Sequence, residues 1–158
     1  MAISSKYWRG IRVLGYVLFG IYLITLAWAS LNPEPIDGSG PIRKFVAWVL
    51  NFTTVDPNLQ WLDYNRLEAL ANILLYVPLG IGLALIFRRV PWWADLLLGV
   101  AVTASAESIQ RWFLPDRFGT WADVLYNSIG VAIGVISARS IAALRSRLRE
   151  RGSASPVE

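Results

Sequence analysis

The chain is 158 residues long, the size of one ordinary domain, yet its 8 Trp, 16% charged residues and mean hydropathy of +0.46 exclude a soluble globule and belong to an integral membrane protein. A net charge of +4 and a pI near 9.8 would suit a nucleic-acid partner on a soluble surface, but the basic residues lie between and beyond hydrophobic runs, where they act as topology determinants and no nucleic-acid partner is expected. With no Cys there are no disulfides or thiolate nucleophiles, and with no His the commonest zinc sites and imidazole proton transfer are excluded.

Residues 1–12 form a basic amino terminus carrying Lys6, Arg9 and Arg12, and residues 13–31 are free of charge. A run of roughly 20 apolar residues crosses hydrocarbon as a helix, which makes this the first expected span. The rival is a cleaved signal peptide, since Ala27-Trp28-Ala29 resembles a small-x-small cleavage site, although the apolar run is longer than a usual signal core. The segment Asn32-Pro33-Glu34-Pro35, followed by Asp37-Gly38-Ser39-Gly40, ends the helix in a loop.

Residues 41–51 place Ile42, Phe45, Val46 and Val49 at helical spacing beside Trp48, the pattern of a short amphipathic helix lying in the membrane interface. Residues 52–63, with Pro57 and two Asp, read as loop. The second span is expected at 69–87, kinked at Pro78 and closed by Arg88-Arg89. Trp92-Trp93 marks an interface before a third span at 96–114, and a fourth follows at 121–141. The arginine-rich tail, 142–158, reads as polar and frayed.

With the amino terminus inside, ten of the fifteen Lys and Arg lie on the cytoplasmic side; Arg43, Lys44, Arg66, Arg111 and Arg117 lie outside or near the outer ends. The fold class that follows is an all-α integral membrane four-helix bundle, with the interfacial helix between spans one and two and both termini cytoplasmic. In this topology the polar residues of the spans gather at one depth. Glu68, Asn72 and Tyr76 share a stripe near the outer end of the second span; Glu107, Gln110 and Arg111 lie roughly 5 to 10 Å below the outer end of the third, at about 1.5 Å per residue. Asp123 and Asn127 fall one turn apart on the fourth, above Gly130 and Gly134 on the same stripe.

An unpaired carboxylate in hydrocarbon is costly, so Glu107 needs a partner, for which Arg111 and Arg117 are the candidates. Asp123, at the start of the fourth helix, suits both an amide of the first turn and an arginine. Three readings stand open. The cluster binds a polar headgroup in the outer leaflet, of an envelope lipid, a lipid-linked glycan or an amphiphilic drug, through Asn72, Tyr76, Glu107, Gln110, Arg111, Arg117, Asp123 and Asn127. Alternatively it is an intramembrane active site, with Glu107 or Asp123 as general base and Arg117 neutralising an anion. In the third, it only holds the helices together in an assembly subunit that packs with Gly130 and Gly134. Two carboxylates countered by arginines make a poor metal cage, and neither metal nor cofactor is expected. A channel is disfavoured because 96–106 and 124–138 carry no charge across the inner leaflet.

The ordered set Asn72-x5-Pro78-Leu79-Gly80, Glu107-x-x-Gln110 and Arg117-x5-Asp123-x3-Asn127-x2-Gly130-x3-Gly134 resembles the VanZ-like family of small bacterial membrane proteins, over about residues 69–138. The chain differs from many members in having Asp116 before the arginine, where they have Gly, and in having no histidine. The resemblance implies a multi-span protein of the bacterial cytoplasmic membrane with these Glu, Gln, Arg, Asp and Asn residues as signature positions, and Pro78, Gly80, Gly130 and Gly134 as packing positions. The family takes its name from a member linked to teicoplanin resistance; that phenotype does not follow from the motif.

Overall fold

The computed structural model describes residues 5–32, 40–114 and 119–153, and among them all regular structure is helical. Helices α1 (Ser5–Leu31) and α2 (Gly40–Val55) are followed by one 3-10 turn at Pro57–Leu59, then by α3 (Tyr64–Ile86), α4 (Trp92–Phe113) and α5 (Trp121–Ser153). The first three expected spans end within a residue of α1, α3 and α4, but these helices begin earlier than the apolar runs do. For α3 the cause is a polar cap: Asp63 Oδ1 accepts the Arg66 N–H at 2.9 Å and starts the helix one turn before the hydrocarbon-compatible residues.

Two expectations need correction. Part of the loop expected at 52–63 is helical, since α2 runs on to Val55 and Asp56 caps the 3-10 turn by accepting the Asn58 N–H at 2.9 Å. The tail expected to fray from 142 is helical to Ser153. Its Ala, Leu, Arg and Glu are strong helix formers, and no proline interrupts them before Pro156.

Three segments, Arg9–Leu31, Tyr64–Ile86 and Trp121–Arg151, are long and apolar enough to cross a membrane. Helix α4, which carries Asp95, Glu107 and Arg111, is not among them. Its direction follows from its contacts. Asp95 meets Arg139 and Glu107 meets Asn127, so α4 runs antiparallel to α5. Gly130 lies on Ile73 and Gly134 on Val77, so α3 and α5 are parallel neighbours. Phe19 lies on Gly82 and Ser30 beside Tyr76, so α1 runs antiparallel to α3.

The α3–α5 contact is the most extensive, and small residues make it so. A methyl group at Gly130 or Gly134 would overlap the Ile73 or Val77 carbonyl, and one at Gly80 would overlap the Val131 carbonyl. The backbones therefore touch, as small-xxx-small seams in membranes allow. Val131, with no exposed surface, fills the notch that Gly99 leaves on α4 and joins all three helices. Tyr76, Leu79, Leu83 and Val135 complete this core, with Leu26 of α1. The proline at 78 deprives the Leu74 carbonyl of its donor; the Tyr22 hydroxyl of α1 donates to the adjacent Leu75 carbonyl at 2.8 Å, a polar contact beside the interrupted turn.

At the opposite end from this turn's polar neighbours, Arg139 of α5 locks three helices. Its Nη2 lies 2.6 Å from Asp95 Oδ2 and donates to the carbonyls of Phe87 and Val90 at 3.1 and 3.0 Å, while Nη1 donates to that of Arg88 at 3.2 Å. One guanidinium thus pairs with one oxygen, Oδ2, of the carboxylate in the first turn of α4 and with carbonyls at and beyond the end of α3 that no helical amide reaches.

Candidate functional site

The polar cluster is built where α3, α4 and α5 converge beneath α2. Along α3, residues four apart share a face, and Asn72 and Tyr76 turn inward while Glu68 stays exposed one turn earlier. On α4, Glu107 and Gln110 are both buried. On α5, Asn127 is buried and Asp123, one turn above, is half-buried.

Each side chain is held by a neighbour from another helix. Asn127 Nδ2 donates to Glu107 Oε1 at 3.1 Å, and Asn72 Nδ2 donates to Asp123 Oδ1 at 3.1 Å. Gln110 Nε2 donates to the Ser30 carbonyl at 2.7 Å, which satisfies an acceptor in the last turn of α1, and the Ser30 hydroxyl lies 3.4 Å from that of Tyr76. These bonds bring the end of α1, Ala29 and Ser30 included, into the buried cluster.

Asp123 has a structural duty as well. Its Oδ2 accepts from the Thr120 hydroxyl at 2.6 Å and the Thr120 N–H at 3.3 Å, while Thr120 Oγ1 accepts the Asp123 N–H at 3.1 Å. This is a reciprocal capping box, and it occupies the oxygen that Asn72 does not. The amide that Asp123 accepts from belongs to Thr120, before the helix begins, and not to the first turn as expected.

Asn72, Tyr76, Glu107, Gln110 and Asn127 line one cavity of about 270 Å³, together with Glu68 and Ser30. Ile42 and Val46 of α2 form its cover. Of the residues expected in the cluster, Asp123 lies beside this cavity and not in its wall. Arg111 departs from expectation. It is exposed; its Nε donates to the Gly119 carbonyl at 3.0 Å and its guanidinium sits 5.9 Å from the centre of the Trp121 ring, a cation–π distance. An arginine one turn from the helix end reaches past the buried carboxylate toward the loop, and Asn127 takes the place beside Glu107. Arg117, the other candidate partner, lies outside the described residues.

Ser30, Thr120 and Gly119 were not singled out from the sequence, and Ile42 and Val46 of the α2 cover read there only as the apolar face of an interfacial helix. Gly119 packs so closely on Glu107 that a Cβ there would overlap the Glu107 backbone carbonyl. Thr120-x-x-Asp123 carried a readable signal, the spacing of a capping box; Ser30 carried only its polarity within an apolar run.

The family model described as VanZ/LLP1 matches residues 14–143, which include all or most of every described helix. The chain belongs to the VanZ family. No curated protein and no solved structure matches it. The match extends the resemblance seen over 69–138 to α1 and α2, so the VanZ region contains the cover of the cavity as well as its walls. Its chemistry in this VanZ protein is that of amides, hydroxyls and a buried carboxylate facing a small space. Among the described residues no three His, Cys, Asp or Glu side chains converge as a metal site would require.

Proposed function

We propose that this VanZ protein holds the polar headgroup of an envelope lipid or lipid-linked glycan in the cavity bounded by Asn72, Tyr76, Glu107, Gln110 and Asn127. In this reading α1, α3, α4 and α5 all cross the cytoplasmic membrane, with both termini in the cytoplasm. Helix α4 supports it by running antiparallel between the ends of α3 and α5, from Asp95 beside Arg139 to Glu107 beside Asn127. Helix α2 lies in the outer interface, its exposed Phe45, Trp48 and Phe52 stacked at 6.1 and 6.2 Å between ring centres to form an aromatic anchor.

The observation that carries the reading is the gathering of the amides, hydroxyls and two carboxylates of four helices around one space of about 270 Å³. Pockets for drug-sized ligands run from about 300 to 1,000 Å³, so this one suits a headgroup or a single sugar rather than an entire glycopeptide. Paired amides and a carboxylate complement hydroxyl and ammonium groups. If the site is instead catalytic, Glu107 is the base, because it lines the cavity and Asp123 does not. The assembly reading loses its seam, since Gly130 and Gly134 are covered by α3 of the same chain.

Native mass spectrometry of the purified protein with its co-purified lipids tests this function. Wild type is expected to retain one lipid class that Glu107→Gln loses while melting within a few degrees of wild type. Equal retention by both proteins would overturn the reading, and appearance of a converted lipid on incubation with wild type alone would favour the enzyme.

A further inference from the structure

A second cavity, far larger, lies at the other end of the molecule and plays no part in the polar cluster. It is a groove of about 930 Å³ between α1 and α3. These two helices touch lightly. Phe19 reaches across to Gly82, and Tyr22 to the Leu75 carbonyl, but beyond Phe19 the helices part around Gly15, Ile81, Leu85 and Ile86. Both belong to segments long and apolar enough to cross a membrane, so the parted walls face hydrocarbon and not water.

The rim of this groove is basic. Because α1 and α3 are antiparallel, Arg12 near the start of α1 comes level with Arg88 and Arg89 after the end of α3, and all three line the groove together. Arg88 is fixed at the rim by its Nε, which donates to the Leu85 carbonyl at 3.1 Å. Among the described residues no Asp or Glu lines the groove. Apolar walls of helix length beneath guanidinium groups match the two parts of one kind of molecule, acyl chains below an anionic phosphate.

We propose that this groove seats one anionic phospholipid of the leaflet at the arginine-rich end, which charge distribution makes the cytoplasmic one. Its phosphate lies against Arg88 and Arg89 with Arg12 opposite, and an acyl chain runs along Gly15, Ile81 and Leu85. The site is separate from the headgroup cavity of the proposed function and stands or falls without it.

Native mass spectrometry with added dioleoylphosphatidylglycerol or dioleoylphosphatidylcholine tests the proposal on the full chain. Wild type is expected to bind the anionic lipid about tenfold more tightly than the zwitterionic one. The double variant Arg88→Gln, Arg89→Gln is expected to bind both alike. Gly15→Trp keeps every arginine and enters open space, since no atom lies within 4 Å of a Cβ there; it is expected to lose the tightly bound lipid. Glu107→Gln, at the other site, is expected to keep the preference. A wild type without preference, a preference surviving the double arginine change, wild-type affinity in Gly15→Trp, or loss of the preference in Glu107→Gln would each overturn the site.

Discussion

At the scale of single residues, the cluster is a set of pairings between amides and carboxylates, and each carboxylate has a different use. Glu107 faces the cavity with Asn127 as donor, whereas Asp123 ties Asn72 to the capping box of α5. Thr120→Ala removes half of that box and is expected to lower stability by about 1 kcal/mol, read as a drop in melting temperature, while leaving retained lipid unchanged. Loss of the lipid from Thr120→Ala would show that the cap shapes the cavity itself. The polar residues of the spans were legible from sequence because hydrocarbon makes each of them conspicuous. Their pairing was less so. Arg111 is one turn from Glu107 on the helix, which suggests a pair, but the long side chain follows the helix end to Gly119 and Trp121. Asp95, in the first turn of α4, and Arg139, midway along α5, gave no local sign of their contact.

At the scale of elements, glycine positions decide which helices touch. Gly134→Ala places a methyl against backbone of α3 and is expected to cost about 1 to 3 kcal/mol, seen as lower folded yield and melting temperature. Gly20→Ala, where no atom lies within 4 Å of the new Cβ, is expected to be neutral or mildly stabilising, since alanine is the better helix former. Equal effects at both positions would contradict the account of the seam. The long helices themselves were readable from apolar length, and Pro78 from its character; the parallel pairing of α3 with α5 was not, because a period of glycines says that some helix comes close without naming it. The end of α5 was misread because arginine, though polar, prolongs a helix as readily as it solvates a coil.

For the whole molecule, the Asp95–Arg139 pair ties the end of α3 and the start of α4 to the middle of α5. Asp95 is fully buried, and Arg139→Gln leaves its charge without the guanidinium. Breaking a buried pair by removing one partner costs about 3 to 5 kcal/mol, so this variant is expected to melt far below wild type, and a melt unchanged from wild type would contradict the lock. Orientation has an equally direct test, because the chain has no native Cys. A single cysteine at exposed Thr54, after the aromatic ladder of α2, is expected to react with a membrane-impermeant maleimide on intact cells. One at exposed Ser146 is expected to react only after permeabilisation. The reverse pattern would invert the bundle and move the polar cavity to the cytoplasmic leaflet.

Photocrosslinking in living cells tests most closely whether the cavity under α2 holds a headgroup. A photoreactive amino acid at Ala71, which lines the cavity yet is exposed, would label whatever occupies it. A lipid adduct of defined mass is expected in the otherwise wild-type chain, and a much weaker one when Glu107→Gln is added. An adduct of the same yield in both backgrounds, or none beside a control position on the lipid-facing side of α3 such as Leu74, would contradict headgroup binding there.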